Sequence, residues 1–580
     1  MTAAPIPKTA PFADEEIELL NRVVGPANPT QRAWLAGFLA GVEASGPSAA
    51  PAVQVQPAEP LTIIYASESG NCEKLAGDFA KAARKNGMKP AIVDMADLDV
   101  ATLGKTKRLV VIAATWGEGE PPSRAVTKYA ELMGGDVPSL DGVEFSVLAL
   151  GDTAYAEFCA VGKNIDARLA ALGAKRVADR VDCDLDFEQP ASEWIGRAVK
   201  ALAPPDANRG TVIAVDFSKP AAAGKSDIVE AEIIEHTNLN SSRSDKETIH
   251  LALLFDGAPP PYEPGDSLDL YAENDPADVD ELLKAAGLDA DQALRAEFIA
   301  SRDIHTLSLK SFETYATQTG HYYVKQLIEQ NQARDWIAGR QLIDLVTYFP
   351  IALTAEHLRA VTRPLAPRAY SVASSRRETA DEAHLLVSAV RYESHGRARK
   401  GVASNYVAER LKRGGKVRVK LRQNKHFALP AQDRDIIMVG PGTGVAPFRA
   451  FVQERRATAA KGRNWLFFGD RQFTHDFMYQ LEWQDALKDG VLTRMDVAFS
   501  RDQPEKIYVQ DRVWERRHDV VEWLDAGAYF YVCGDAKAMA KDVRAALARA
   551  YADVKAISPE AAEQAVAALE HDKRYLTDTY

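Results

Sequence analysis

Three apolar runs in the first third of the chain, Leu61–Ala66, Leu109–Ala114 and Glu144–Leu150, constrain the fold most. Each is short and apolar at nearly every position, the pattern of a strand covered on both faces. An amphipathic stretch, Glu73–Asn86, lies between the first two. This alternation predicts a doubly wound parallel sheet over residues 61–203. Such sheets bind ligands at the carboxyl ends of their strands, and each run here stops at an unusual loop. The first, Ser67-Glu68-Ser69-Gly70-Asn71-Cys72, offers hydroxyls and backbone N–H groups at a helix start, which suits a phosphate monoester. It has no P-loop lysine, which disfavours a nucleotide triphosphatase. The second begins Ala114-Thr115-Trp116-Gly117 and runs to Pro122; the third runs from Leu150-Gly151-Asp152 through Tyr155 to Phe158-Cys159. Trp116 and Tyr155 can bracket a flat ring.

A second set of strands resumes at Asp227: Ile228–Glu235, Thr248–Phe255, Ser267–Tyr271, Arg368–Val372, His384–Arg391 and Lys416–Arg422. Their alternation predicts an antiparallel β-barrel over 227–430, interrupted by a helical insertion at about 274–362. Within it, Arg368-Ala369-Tyr370-Ser371 places a cation, an aromatic and a hydroxyl on one short strand. The guanidinium can clamp a pyrophosphate, the ring can lie on a fused heteroaromatic, and the hydroxyl can bond a ring atom. Gly401-Val402-Ala403-Ser404 then opens a helix-like run, Asn405–Leu411, whose start can meet the same pyrophosphate. From residue 431 onward the chain alternates again. Ile436–Val439 is a strand, Gly440–Phe448 a glycine-rich turn containing Gly442 and Thr443, and Asp470-Arg471 and Cys533-Gly534 end two further strands. Ser500, Arg501, Lys506, Tyr508 and Gln510 gather cations and hydroxyls suited to a 2′-phosphate, favouring NADPH over NADH.

Taken together, these motifs resemble the NADPH-dependent diflavin reductase family across almost the whole chain. The three early loops resemble flavodoxin and imply FMN. The Arg368–Ser371 and Gly401–Ser404 motifs, with Pro264-Gly265-Asp266, resemble the FAD domain of the ferredoxin–NADP reductase family. That resemblance also implies FAD contacts at Leu386, Val387, Ser388 and Tyr392, and an NADP contact at Asp542. The insertion resembles the connecting domain of diflavin reductases. The final aromatic, Tyr580, matches the one that covers FAD and moves aside for nicotinamide, and Ser371, Cys533 and Asp578 match positions around hydride transfer. The implied electron route is NADPH to FAD to FMN to a one-electron acceptor. The stretch Pro29–Phe38 resembles the start of bacterial sulfite reductase flavoprotein subunits. This implies a separate sirohaem and iron–sulfur hemoprotein as partner, reducing sulfite to sulfide. A stand-alone diflavin reductase serving another haem protein, such as a cytochrome P450, is the alternative enzyme reading. A subunit whose flavin is only structural is the non-enzyme reading.

With 580 residues the chain holds several domains, and its net charge of −12 argues against nucleic acid. Cys72, Cys159, Cys183 and Cys533 form no CxxC pair, so a disulfide framework, a zinc ribbon or a cysteine-ligated cluster is not expected, nor is any metal. Free thiols, the absence of a spanning apolar run and the lack of a signal-peptide layout fit a cytoplasmic protein without a membrane anchor. Residues 1–50 read as a helical arm. Trp34, Leu35, Phe38, Leu39 and Val42 recur at helical spacing on a segment too small to bury them, so the arm must dock on its own chain, on a copy of itself or on another protein; an assembly element and a homo-oligomer are the expectation. Residues 51–60 and 204–226 read as linkers, the second one flexible. Asp182, Asp184, Asp186 and Glu188 form an acidic cluster that reads either as solvated loop or as a docking surface.

Overall fold

The computed structural model describes residues 59–155, 157–204 and 227–580. The expected helical arm, most of the expected 51–60 linker and nearly all of the expected 204–226 linker lie outside the described residues.

The first sheet contains β1 (Glu59–Ala66), β2 (Met88–Asp94), β3 (Arg108–Ala114), β4 (Glu144–Leu150), β5 (Lys175–Arg176) and β6 (Val181–Cys183). Its order is β2-β1-β3-β4-β5 with β6 also on β4, and every pairing is parallel. The order reverses between β1 and β3, so their carboxyl ends open a crevice. Both faces are covered, one by Phe79 and Trp194, the other by Leu132 and Ile165. That is why these strands are apolar at consecutive positions. The buried Ser146 is the exception, and it accepts a hydrogen bond from the Trp194 indole at 3.1 Å.

The middle sheet uses β7 (Ile228–Asn238), β8 (Thr248–Phe255) and β9 (Ser267–Tyr271); after a short pair, β10 (Arg302–Asp303) with β11 (Arg363–Pro364), come β12 (Arg368–Ser371) and β13 (Glu382–Ser388). A hairpin of β14 (Arg391–Ser394) and β15 (Arg397–Lys400) precedes β16 (Lys416–Arg422). The antiparallel order is β12-β9-β16-β7-β8-β13, and a bridge between Val372 and Leu385 joins the two ends into a closed barrel. The insertion is helical from Pro276 to Val361 and has its own core around Phe298, Phe312 and Leu345. Two expectations need correction. The strand expected over His384–Arg391 ends at Ser388, because the Ala389 N–H turns to the Glu247 carbonyl and the Val390 N–H to the Ser404 hydroxyl. The helix expected over Asn405–Leu411 is a single α turn, Val402–Asn405, running into a π turn, Tyr406–Arg410.

The last sheet contains β17 (Ile436–Pro441), β18 (Asn464–Asp470), β19 (Arg494–Phe499), β20 (Tyr529–Gly534) and β21 (Tyr575–Thr579), all parallel, in the order β19-β18-β17-β20-β21. Its switch point lies between β17 and β20. There Gly444 packs so closely that a Cβ would stand 2.0 Å from the Cys533 carbonyl oxygen. One face of this sheet shares a core with the barrel: Ala373, Leu386 and Phe427 pack with Phe448, Phe451 and Tyr531.

Candidate functional site

The first crevice is built from the three loops after β1, β3 and β4. Gly70 caps the helix Asn71–Lys85 in a left-handed conformation, φ 79°, and no side chain fills the cap. A Cβ there would meet nothing within 4 Å, so the positive helix end faces open space. Ser67 accepts the Cys72 N–H at 3.2 Å. Glu68 turns away from this opening: its carboxylate accepts the Ser123 N–H at 2.7 Å and hydroxyl at 3.2 Å, tying the first loop to the second. Burial pushes the Glu68 carboxyl up, against the Ser123 hydrogen bonds, and the charge of Asp578 adds to the rise. In the second loop the Thr115 hydroxyl accepts the Val161 N–H, and Gly117 takes φ 53° where a Cβ would stand 2.6 Å from a Glu120 oxygen. Trp116 is 38% exposed and Tyr155 44%, large rings left open at one end of the sheet. Cys72 and Cys159 are fully buried, and burial pushes the Cys72 thiol up to about 12. Their side chains serve the core, so only their backbone is offered to a ligand.

The second centre gathers three strands on one carboxylate. Ser371, at the end of β12, donates to Asp578 Oδ2 at 2.8 Å. Cys533 lies opposite Asp578 in the β20–β21 ladder, with its thiol 3.9 Å from the same oxygen. Asn424 donates to Asp578 Oδ1 at 3.4 Å, and its own N–H is held by Asp266 of the Pro-Gly-Asp turn at 2.7 Å. Burial drives both the Asp578 carboxyl and the Cys533 thiol up. Tyr580 directs its hydrogen bonds outside this cluster. Its N–H bonds the Gly534 carbonyl, its hydroxyl pairs with Thr443 at 2.6 Å, and its ring is 58% exposed. Beside the cluster, Arg368 and Ala369 are exposed, Tyr370 is half-buried, and Arg368 forms no ion pair among the described residues. An unspent guanidinium next to a ring on a stiff strand fits a dinucleotide's pyrophosphate.

Comparison with known proteins decides what these centres belong to. The flavodoxin family model matches residues 63–194, the FAD binding domain 223–329 and 308–406, and the oxidoreductase NAD-binding domain 438–545. The sulfite reductase (NADPH) flavoprotein alpha-component of Bacillus subtilis (strain 168) is 41% identical, covering 98% of this chain and 99% of that protein. The protein of the same description from Escherichia coli (strain K12) is 38% identical over the full length of both chains. That of Vibrio parahaemolyticus is 37% identical over 99% and 96%. This chain belongs to the sulfite reductase (NADPH) flavoprotein alpha-component family. It is an NADPH-dependent diflavin oxidoreductase, and its cofactors are FMN, FAD and NADPH.

The remaining expected positions sort by what the family's cofactors could touch. Leu386 and Val387 are buried in cores, Ser388 is half-buried and Tyr392 is exposed on the β14–β15 hairpin. Ser404 spends its hydroxyl on the Val390 N–H, so around Gly401, Val402 and Ala403 the backbone is what remains for an anion. On the nucleotide side, Gly442 takes φ 58° next to Thr443. Asp470 is tied to Lys246 at 2.7 Å, and Ser500 sits against the Asp470 carbonyl. Arg471 and Arg501 both grip one carboxylate, Asp245, at 2.6 and 2.8 Å. That grip shows that the pair can hold an oxyanion. Gln510 reaches Asp542 at 3.3 Å, while Lys506 and Tyr508 are exposed. The acidic cluster is partly spent. Asp182 pairs with Arg180 and Asp184 accepts from Thr153, which leaves Asp186 and Glu188 exposed. Sequence reading passed over Asp245, Lys246 and Asn424. The Ser-Asp-Lys run before β8 looks like an ordinary hairpin loop, and only the fold carries it to β18.

Proposed function

We propose that this chain is the electron-delivering flavoprotein of an NADPH-dependent sulfite reductase, passing electrons to a separate sirohaem and iron–sulfur hemoprotein that reduces sulfite to sulfide. When bound, the cofactors supply hydride donation, the splitting of a hydride pair into single electrons, and one-electron delivery. The chain's part is to hold, orient and shield. The observation that carries the reading is that the crevice lies against the hydride centre: Glu73, just after the first loop, lies 3.9 Å from Lys425, the neighbour of Asn424, and Glu118 of the second loop lies 3.8 Å from Lys537. The chain's own residues thus bring the two proposed flavin sites together within one chain.

In this reading, Ser67, Ser69, Gly70 and Asn71 hold the FMN phosphate, and Trp116 and Tyr155 hold its ring. Thr115, Gly117, Gly151 and Asp152 shape the loops around it. Arg368, Tyr370, Ser371 and the Gly401–Ser404 backbone hold FAD. Ser371, Cys533 and Asp578 form one hydrogen-bonded unit at the place of hydride transfer, where Asp578 Oδ2 fixes the Ser371 proton. Tyr580 shields that place until nicotinamide enters. Gly442, Thr443, Asp470, Arg471, Ser500, Arg501, Lys506, Tyr508, Gln510 and Asp542 hold the nucleotide, with Arg501 and Lys506 selecting the 2′-phosphate. The modules divide at about 61–203, 227–430 and 431–580. Residues 1–50 form the assembly arm of a homo-oligomer, argued from their apolar stripe, and the compartment is the cytoplasm. Among the described residues no helix is long and apolar enough to cross a membrane.

Mixing the purified protein with a sirohaem protein from the same cell tests this. Sulfite-dependent NADPH oxidation with release of sulfide supports the reading. Cytochrome c reduction that sulfite and the hemoprotein leave unchanged would favour another acceptor.

A further inference from the structure

Arg363 lies on the short β11 strand, five residues before Arg368, and no function above uses it. Its guanidinium reaches carboxylates from three places. Nε pairs with Asp303 of β10 at 3.1 Å; Nη1 donates to Asp152 of the third crevice loop and lies 3.9 Å from Asp184, just past β6. All four side chains are mostly buried. Burial pushes the Asp303 carboxyl up, but Thr306 and Arg363 overcome this and hold it below the ordinary carboxylate range. The other ion pairs between the flavodoxin-like module and the rest of the described residues are exposed and loose: Lys573–Asp97 at 3.4 Å, Lys537–Glu118 at 3.8 Å, Arg334–Glu157 at 3.9 Å and Lys425–Glu73 at 3.9 Å. Exposed pairs of this kind contribute little and are screened by salt. The hydrophobic cores of the module contain only its own residues. Arg363 is therefore the one buried, hydrogen-bonded cation that crosses this seam among the described residues.

The two carboxylates it grips also shape the crevice. Asp152 accepts the Ala154 N–H at 2.8 Å, and Asp184 accepts the Thr153 N–H at 3.2 Å and hydroxyl at 2.6 Å. The turn from Asp152 to Tyr155 is thus built on the groups that bind Arg363. We propose that Arg363 is a positioning residue, a latch that docks the flavodoxin-like module on the β10–β11 pair at the edge of the helical insertion and at the same contact fixes the loop carrying Tyr155. The inference rests on the two-flavin reading above. A planar fork suits a site with carboxylates on several sides, which a lysine serves less well.

The test uses the full-length holoprotein with Arg363→Gln, Arg363→Lys and Asp184→Asn. Small-angle scattering across an ionic-strength series reads docking without any acceptor, so its outcome is independent of the sulfite assignment. Arg363→Gln should show at low salt the larger radius of gyration that the unmodified protein reaches only at high salt, with Arg363→Lys between them. Transfer between the flavins should slow by about tenfold, the scale of a lost charge-assisted contact, while flavin reduction by NADPH keeps its rate. Asp184→Asn should act in the same direction, and the double variant should be no worse than Arg363→Gln alone. A radius of gyration and salt response unchanged in Arg363→Gln overturn the latch, as do additive effects in the double variant. Should Arg363→Gln fail to fold, an unchanged salt response in Asp184→Asn overturns it.

Discussion

The described residues meet at two internal seams, built in opposite ways. Between the FAD barrel and the nucleotide-binding sheet the contact is a core. Phe427 of the barrel side packs among Phe448, Phe451 and Tyr531, with ring centroids 5.3 to 6.1 Å away. Buried polar groups lock it further: Asp476 accepts from Asn240 at 2.8 Å and Ser244 at 2.5 Å, and Arg449 donates to the Ala373 carbonyl at 2.7 Å. Between the flavodoxin-like module and this unit the contact is charge on charge, with every acid on the module's side among the described residues. Salt does not screen apolar burial, whereas exposed ion pairs weaken with it. The difference teaches which step needs fixed geometry. Hydride transfer requires reacting atoms about 3 to 3.5 Å apart, and the Ser371–Asp578–Cys533 unit proposed to serve it spans the apolar seam. The flavodoxin-like module, proposed to deliver electrons outward, sits on the charged seam.

Breaking the apolar seam should give the largest effect. Phe427→Ala empties a fully buried site and should cost about 3 to 5 kcal/mol. Because its partners lie on the nucleotide side, FAD retention and NADPH affinity should fall together in calorimetry and flavin analysis, while FMN retention is unchanged. Loss of FAD alone would mean that the two halves fold independently.

Neutralising both Arg501 and Lys506 should come next. Loss of charged contacts of about 1.5 to 3 kcal/mol raises the KM for NADPH roughly ten- to a hundredfold, with a much smaller change for NADH. Equal changes for both nucleotides would reduce these residues to surface charge. Removing Tyr580 should be smaller, on the scale of a stacking contribution of about 0.5 to 1.5 kcal/mol. Oxidised nucleotide should bind more tightly and the preference for NADPH should relax. An unchanged preference and flavin spectrum would leave the ring only its pairing with Thr443.

The smallest effect concerns pH. Burial is the main reason that the Asp578 carboxyl is raised, opposed by Ser371 and Cys533. A raised folded pKa means that the fold favours the neutral form. Its contribution is complete below the unfolded carboxylate pKa and is lost as pH rises through the folded value. Asp578→Asn keeps the neutral form at every pH. Its Tm relative to the unmodified protein should therefore climb across that window, and a constant difference would contradict the shift.

Much of this was legible from residues alone. The runs at 61, 109 and 144 read as doubly covered strands because they are apolar at nearly every position, and the buried Ser146 is satisfied by Trp194. Ser371 and Asp578, 207 positions apart, were linked only by family resemblance, yet they meet at 2.8 Å. What stayed hidden depends on long-range geometry. Arg363 looks like any basic residue before a proline, and Asp245 like any hairpin acid. Their importance comes from partners 211 and 256 positions away. The strand expected over His384–Arg391 stops at Ser388 for a similar reason: its end is set by the Glu247 carbonyl and the Ser404 hydroxyl, partners with no local signature.

The most direct test of the two-seam account is flavin and activity analysis of residues 227–580 expressed without the flavodoxin-like module. The account expects one FAD per chain, no FMN, and NADPH oxidation with ferricyanide at the rate of the full-length protein, but no reduction of cytochrome c. Loss of FAD, or of NADPH oxidation, on removing residues 1–226 would contradict it.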